Sequence, residues 1–176
     1  MDIIDRRVCA EIDGSFVVFL IGMRVNRWWK PWQYVPVFRA MGRMLPELMR
    51  DPALGLLHAR THFGFPNVLV VQYWRSYEAL EAYAAARDRA HLPAWAAFNK
   101  AIGSDGDVGI WHETYCIAPG SYENVYNNMP AFGLGRAGTL HDASGARARA
   151  KGRLQVGAQS PMTGLNRAGQ GEASPE

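Results

Sequence analysis

All six Trp, seven Tyr and seven Phe of this chain fall within its first 135 residues. That lopsided placement limits what can fold. Large aromatic side chains supply most of the apolar area a small core can bury. The remaining stretch, 136–176, offers only Leu140, Leu154, Val156, Met162 and Leu165 among Gly, Ala, Ser and Arg. Burial of so few apolar groups does not offset the entropy of ordering that stretch. Charge divides at the same place. Residues 1–135 hold 13 basic and 13 acidic side chains, so the net charge of +3 comes from 136–176. The expectation is one folded domain over 1–138 and a disordered, basic C-terminal tail over 139–176. A basic tail invites nucleic acid or acidic lipid. A neutral, aromatic-rich core points instead to a small-molecule binder, with no nucleic-acid partner.

Several function classes lose their usual support. Cys9 and Cys116 lie far apart, with no CxxC and no zinc spacing. Reduced thiols in a cytoplasm are the default for such a pair. The longest apolar run, Phe16 to Met23, is too short to span a bilayer, so no stable membrane insertion is expected. The first residues, MDIIDRRVCAEIDG, carry no signal-type segment. The chain contains no GxxxxGK[ST], HExxH or GxSxG.

Periodicity then orders the elements. Phe16–Val25 (FVVFLIGMRV) is β-branched and aromatic, which suits a buried strand. Tyr34, Val35, Phe38, Met41, Leu45, Leu48 and Met49 fall at helical steps, and Asp51-Pro52 stops them. Pro31 and Pro36 place the helix start, and Pro46 should kink or split it. Leu56–Phe65 alternates, with His58, Arg60 and His62 on its polar face, and Val68–Trp74 follows a Pro66-Asn67 turn as the second arm of a hairpin. Ser76 caps a helix from Tyr77 to Arg87. A second helix carries Pro93, Trp95, Phe98 and Ile102. Val108–Ile117 is the last strand. The order β, α, β, β, α-α, β is the split βαββαβ, ferredoxin-like pattern of an α+β fold. One sheet face takes the helices. The other needs a partner or the segment 121–135, so a homodimer with sheets face to face is expected.

Taken in order, FVVFLIGMRVN, WQYVPVFRAM, QYWRSYEALEAYA, HLPAWAAFN and ETY with GSYENVYNNMPAFGLG resemble one family over about residues 8–138. It is the family of small monooxygenase-like proteins named after a polyketide monooxygenase of the fumagillin pathway. That family is similar to antibiotic-biosynthesis monooxygenases, haem-degrading enzymes, chlorite dismutases and aldoxime dehydratases, all dimeric α+β barrels. The resemblance implies a homodimeric barrel that oxidises an apolar, electron-rich small molecule, of polyketide or terpenoid type, with dioxygen. It also implies roles. A His on the corresponding helix of haem-degrading relatives ligates iron, and His91 resembles it in placement, with Tyr83 where the usual aromatic partner is Trp. In cofactor-free relatives an Asn and a Trp position substrate and dioxygen, and Asn26 and Trp74 are the matching candidates. Cofactors are therefore none or haem.

The residues themselves add further candidates. His91 suits a general base near neutral pH, or a helix-start structural residue. Arg60 and His62 share a face with His58; they pair with a carboxylate such as Glu113, or hold an anionic substrate and move its proton. Arg24 beside Asn26, and Phe38 and Trp95 on apolar helix faces, complete the expected substrate contacts. Trp28, Trp29 and Trp32 crowd Lys30 as corner packing, an aromatic lid or a membrane-interface anchor. Asn124, among Tyr122, Tyr126 and Asn127, is a cross-brace or a pocket amide. Three readings follow: an oxygenase without cofactor, a haem oxygenase or lyase with His91 as ligand, and a non-catalytic dimeric binding protein.

Overall fold

The computed structural model of this chain describes residues 2–85 and 105–159. Four strands form the main sheet: β2 (Phe16–Val25), β3 (Leu56–Phe63), β4 (Asn67–Trp74) and β5 (Val108–Ile117). The order is β3-β4-β2-β5, with every neighbour antiparallel. That is the strand order a split βαββαβ unit gives. Periodicity located all four strands, because each alternates or runs apolar between turn residues.

Two helices pack on one face. The long one, α1 (Pro31–Arg50), starts with Pro31 in its first turn and runs unbroken through Pro36 and Pro46. The expected split at Pro46 does not occur. The buried face of α1, with Val37 and Leu48 almost fully covered, holds the helix where local hydrogen bonds are missing. Met49, expected on that face, stands in solvent. The second helix, α2 (Tyr77–Ala85), is capped as its sequence suggests: Ser76 Oγ accepts from the Ala79 N–H at 3.2 Å. The helix expected around Pro93, with His91, Trp95, Phe98 and Ile102, lies outside the described residues.

The stretch after residue 138 needs correction. Residues 139–159 are folded, so the tail cannot begin at 139. A second sheet, of order β6-β1-β7, joins β6 (Tyr126–Met129), β1 (Ile4–Glu11) and β7 (Thr139–Asp142). The short α3 (Leu134–Ala137) links β6 to β7, and α4 (Ala150–Ala158) follows. Ion pairs supply what apolar burial does not. Arg147 grips Glu11 (Nε to Oε1 at 2.6 Å), and Arg153, buried, grips Glu123 (Nε to Oε2 at 2.8 Å). Residues 160–176 lie outside the described residues.

The second sheet also covers part of the main sheet's helix-free face. Phe16, Val18, Tyr73 and Ile117 pack there against Ala10, Leu134, Tyr126 and Leu140. The rest of that face stays open, with Leu20, Leu69 and Val71 half-buried and Trp111 and Tyr115 exposed.

Candidate functional site

Register fixes which side chains share the helix-facing surface of the main sheet. Val17 lies between Trp74 and Cys116, Phe19 between Gln72 and Thr114, Ile21 between Val70 and His112, and Met23 between Val68 and Ile110. One end of this surface is a cluster of Met23, Val25, Val68 and Val108 under Val37, Tyr34 and Phe38 of α1. The other end joins Val17 and Trp74 to Leu48, Leu80 and Tyr83. Between these apolar ends runs an interrupted polar strip: Gln72 on β4, then Phe19 and Ile21 of β2, then His112 and Thr114 on the edge strand β5.

On the β4 side the Gln72 amide is held in place. Trp74 Nε1 donates to Gln72 Oε1 at 2.8 Å, and both side chains are buried. The Tyr83 ring lies 5.7 Å from Trp74, and the His112 ring 5.7 Å from Phe19. His112 remains open to solvent on its edge strand. An imidazole at the open edge of these apolar walls can accept a proton, and the amide two strands away can orient a polar group.

The expected site residues do not converge. Trp74 and Tyr83 meet, and Phe38 lines the same surface at its far end. Asn26 follows the opposite end of β2 from the Val17–Trp74 pair; nine residues of strand put them about 30 Å apart. It works there as a brace: its Nδ2 donates to the Gly106 carbonyl at 3.0 Å, and its Oδ1 accepts from Arg24 Nε at 3.1 Å. The pairing of Asn26 with Trp74 over one substrate is therefore set aside. Arg24 points to the helix-free face, where it also reaches Asn67 Oδ1 at 3.4 Å.

Arg60 and His62 lie on that helix-free face too. Phe132 covers both: the Arg60 guanidinium sits 4.3 Å from its ring centre, and the His62 ring 6.1 Å. Glu113 is on the opposite edge strand, about 14 Å from β3 by strand spacing, so the expected Arg60–Glu113 pair does not form within the chain. Glu113 instead accepts from the Tyr115 hydroxyl at 2.5 Å. Burial, with Arg136 and Arg60 nearby, pushes the His58 pKa down. Asn124 pairs with the Ala10 backbone in both directions, at 2.7 and 2.8 Å, and serves as the cross-brace. His91 and Trp95 lie outside the described residues, and the haem reading rests on His91. Among the described residues no group of three or more His, Cys, Asp and Glu could hold a metal ion.

His112, Thr114 and Gln72 were missed from sequence. The alternation of Val108–Ile117 put His112 opposite Glu113, but nothing in it says which face meets the helices.

Comparison with known proteins follows the same outline. The curated monooxygenase af470 of Aspergillus fumigatus is 28% identical over 133 residues, 70% of this chain. The match covers 46% of that relative, so the chain spans about half its length. Among solved structures, an aldoxime dehydratase in complex with butyraldoxime matches 88% of this chain and 43% of its own, at 15% identity and a TM-score of 0.60. SnoaB, a cofactor-independent oxygenase from Streptomyces nogalater, matches 59% of this chain and 92% of its own, at 15% identity and a TM-score of 0.42. The family model of monooxygenase af470-like proteins matches residues 16–134, from the first residue of β2 to the first of α3, and the chain belongs to that family.

Proposed function

We propose that this protein is a small oxygenase that oxidises an apolar, electron-rich molecule on the helix-facing surface of its main sheet, without a cofactor of its own. Membership of a monooxygenase-like family supports the reaction class. The observation that carries the reading is the polar strip of Gln72, His112 and Thr114 between two apolar clusters. The substrate is a phenol, hydroquinone or enolisable ketone whose anion can reduce dioxygen. His112 takes a proton from the substrate's acidic O–H or C–H. The anion passes one electron to dioxygen, and the radical pair closes to a carbon peroxide. Return of the proton gives a hydroperoxide. Loss of water, which takes the hydrogen left on the peroxide-bearing carbon, turns that carbon into a carbonyl, with one oxygen atom in the product and one in water. Apolar walls keep the anion poorly hydrated, and the fixed Gln72 amide orients the substrate. The Thr114 hydroxyl donates to the peroxide as it forms.

In this reading the protein works as a homodimer in a reducing cytoplasm. Both cysteines are free thiols. The open half of the helix-free face is the surface a second copy covers. Trp111 lies flat there, and a Cβ added at Gly22 would meet its ring at 2.6 Å.

The experiment is oxygen uptake by chelator-treated protein supplied with hydroquinones and enolisable polycyclic ketones. Wild-type protein consumes oxygen, and His112→Asn lowers the rate roughly 10²-fold or more with loss of the limb of the pH profile that a base sets. A Soret band in the purified protein, no uptake with any of these compounds, or an unchanged His112→Asn rate overturns the reading.

A further inference from the structure

One end of the main sheet displays five large aromatic side chains in solvent. Trp28 is 62% exposed, Trp29 56%, Trp32 66%, and Phe63 and Phe65 79% each. They lie on neighbouring segments at that end. The Val25 N–H donates to the Pro66 carbonyl at 2.9 Å, and Arg24 reaches Asn67, so the end of β2 lies against the hairpin tip that carries Phe63 and Phe65. The three Trp follow from that strand end into α1. At usual ring areas the patch exceeds about 500 Å², the upper range for a lone soluble chain.

The corner is also rigid. Asp107, nearly fully buried, accepts from Arg27 Nη1 at 2.6 Å and from Lys30 Nζ at 2.8 Å. Its backbone carbonyl takes the N–H groups of Asn26 and Arg27 at 3.0 and 3.2 Å. The segment between β2 and α1 is thus tied to the start of β5 on both sides of Trp28 and Trp29, and Trp32 follows in the first turn of α1. The aromatic rings are held outward, and little ordering remains to be done on binding.

The chemistry of the rim indicates the occupant. Arg24, Arg27 and Lys30 lie on the same strand end and turn as Trp28 and Trp29. Asp107 is enclosed by two of these cations, and Asp105 is the other nearby carboxylate, so this end is net positive by about one charge. Trp and Phe beside Arg and Lys suit the boundary between headgroups and acyl chains. The described helices include none long and apolar enough to cross a membrane. We propose that the Trp28–Trp32 corner and the Phe63–Phe65 tip dock this protein reversibly on an anionic bilayer surface. The inference does not rest on the oxygenase reading.

Sedimentation of the full chain with vesicles tests it. The vesicles are phosphatidylcholine alone, or phosphatidylcholine with 30% phosphatidylserine, an order-of-magnitude choice for a cytoplasmic leaflet. The protein pellets with the anionic vesicles, its Trp emission shifts to the blue, and about 0.5 M salt weakens binding, because the Debye length shrinks to roughly 4 Å. The triple variant Trp28→Ser, Trp29→Ser, Trp32→Ser binds at least tenfold more weakly, about the loss expected from one 1.4 kcal/mol step or more. Phe63→Ser, Phe65→Ser gives a second, independent loss. Circular dichroism of both variants matches wild type, since all five rings are exposed. Absence of vesicle binding, or equal binding by wild type and both variants, overturns the proposal. So does equal binding to neutral and anionic vesicles. If the variants instead abolish self-association in sedimentation velocity and leave vesicle binding unchanged, a second copy occupies the patch.

Discussion

Glu11 shows how single side chains hold the two sheets' periphery. Its carboxylate accepts from Arg147 Nε and Nη2, at 2.6 and 3.1 Å, with His141 at 3.6 Å. The hydrogen bond from Arg147 is the main cause of its lowered pKa. A carboxylate with a depressed folded pKa contributes stability above its unfolded value, near 4.5, and loses it as pH falls through the folded value. The urea midpoint therefore falls between pH 6 and pH 3, and Glu11→Gln flattens that dependence while lowering the midpoint at pH 6. Denaturation curves at three pH values check it. The sequence itself marks only part of the candidate site. It flagged Trp74 and Tyr83, which meet. It drew attention to Arg60 and His62 because three ionisable groups shared a face, but a Phe132 ring satisfies them. It passed over His112 because alternation defines two faces without labelling them.

Among elements, the four strands of the main sheet were legible because their apolar patterns are long and bounded by turns. The second sheet was not. Val8, Cys9 and Ala10 are buried in succession, which breaks the alternation expected of a strand with one wet face. Both outer strands are only four residues long. The join is tight where β7 begins. A Cβ on Gly138 would overlap the Glu11 carbonyl, a backbone atom that cannot move aside alone. Gly138→Ala is expected to cost about 1–3 kcal/mol by overpacking. Thermal denaturation should show it as a Tm lower by roughly 2–4 °C per kcal/mol. An unchanged Tm would mean that β1 and β7 do not meet in this register.

For the whole molecule, the charge division seen in the sequence takes a different meaning. The basic excess after residue 135 is partly spent within the fold, on Glu11 and Glu123. Composition could not show this, because aromatic content measures apolar burial and says nothing of ion pairs between distant segments. A chain ending at residue 138 loses β7, both of these pairs and α4. It should lose several kcal/mol, since removing one partner of a mostly buried ion pair alone costs about 3 kcal/mol. A chain ending at residue 159 keeps every described element and should unfold at the wild-type midpoint. Equal stability of the two truncations would contradict the packing of 139–159.

The position of β1 between β6 and β7 carries a consequence for biosynthesis. Of the described strands β1 is made before the others, and among them it has no hydrogen-bonding neighbour until residues 126–142 have been made. At about 5–20 residues per second that is a wait on the order of ten seconds. During that interval Val8, Cys9 and Ala10 are offered to whatever else the nascent chain meets.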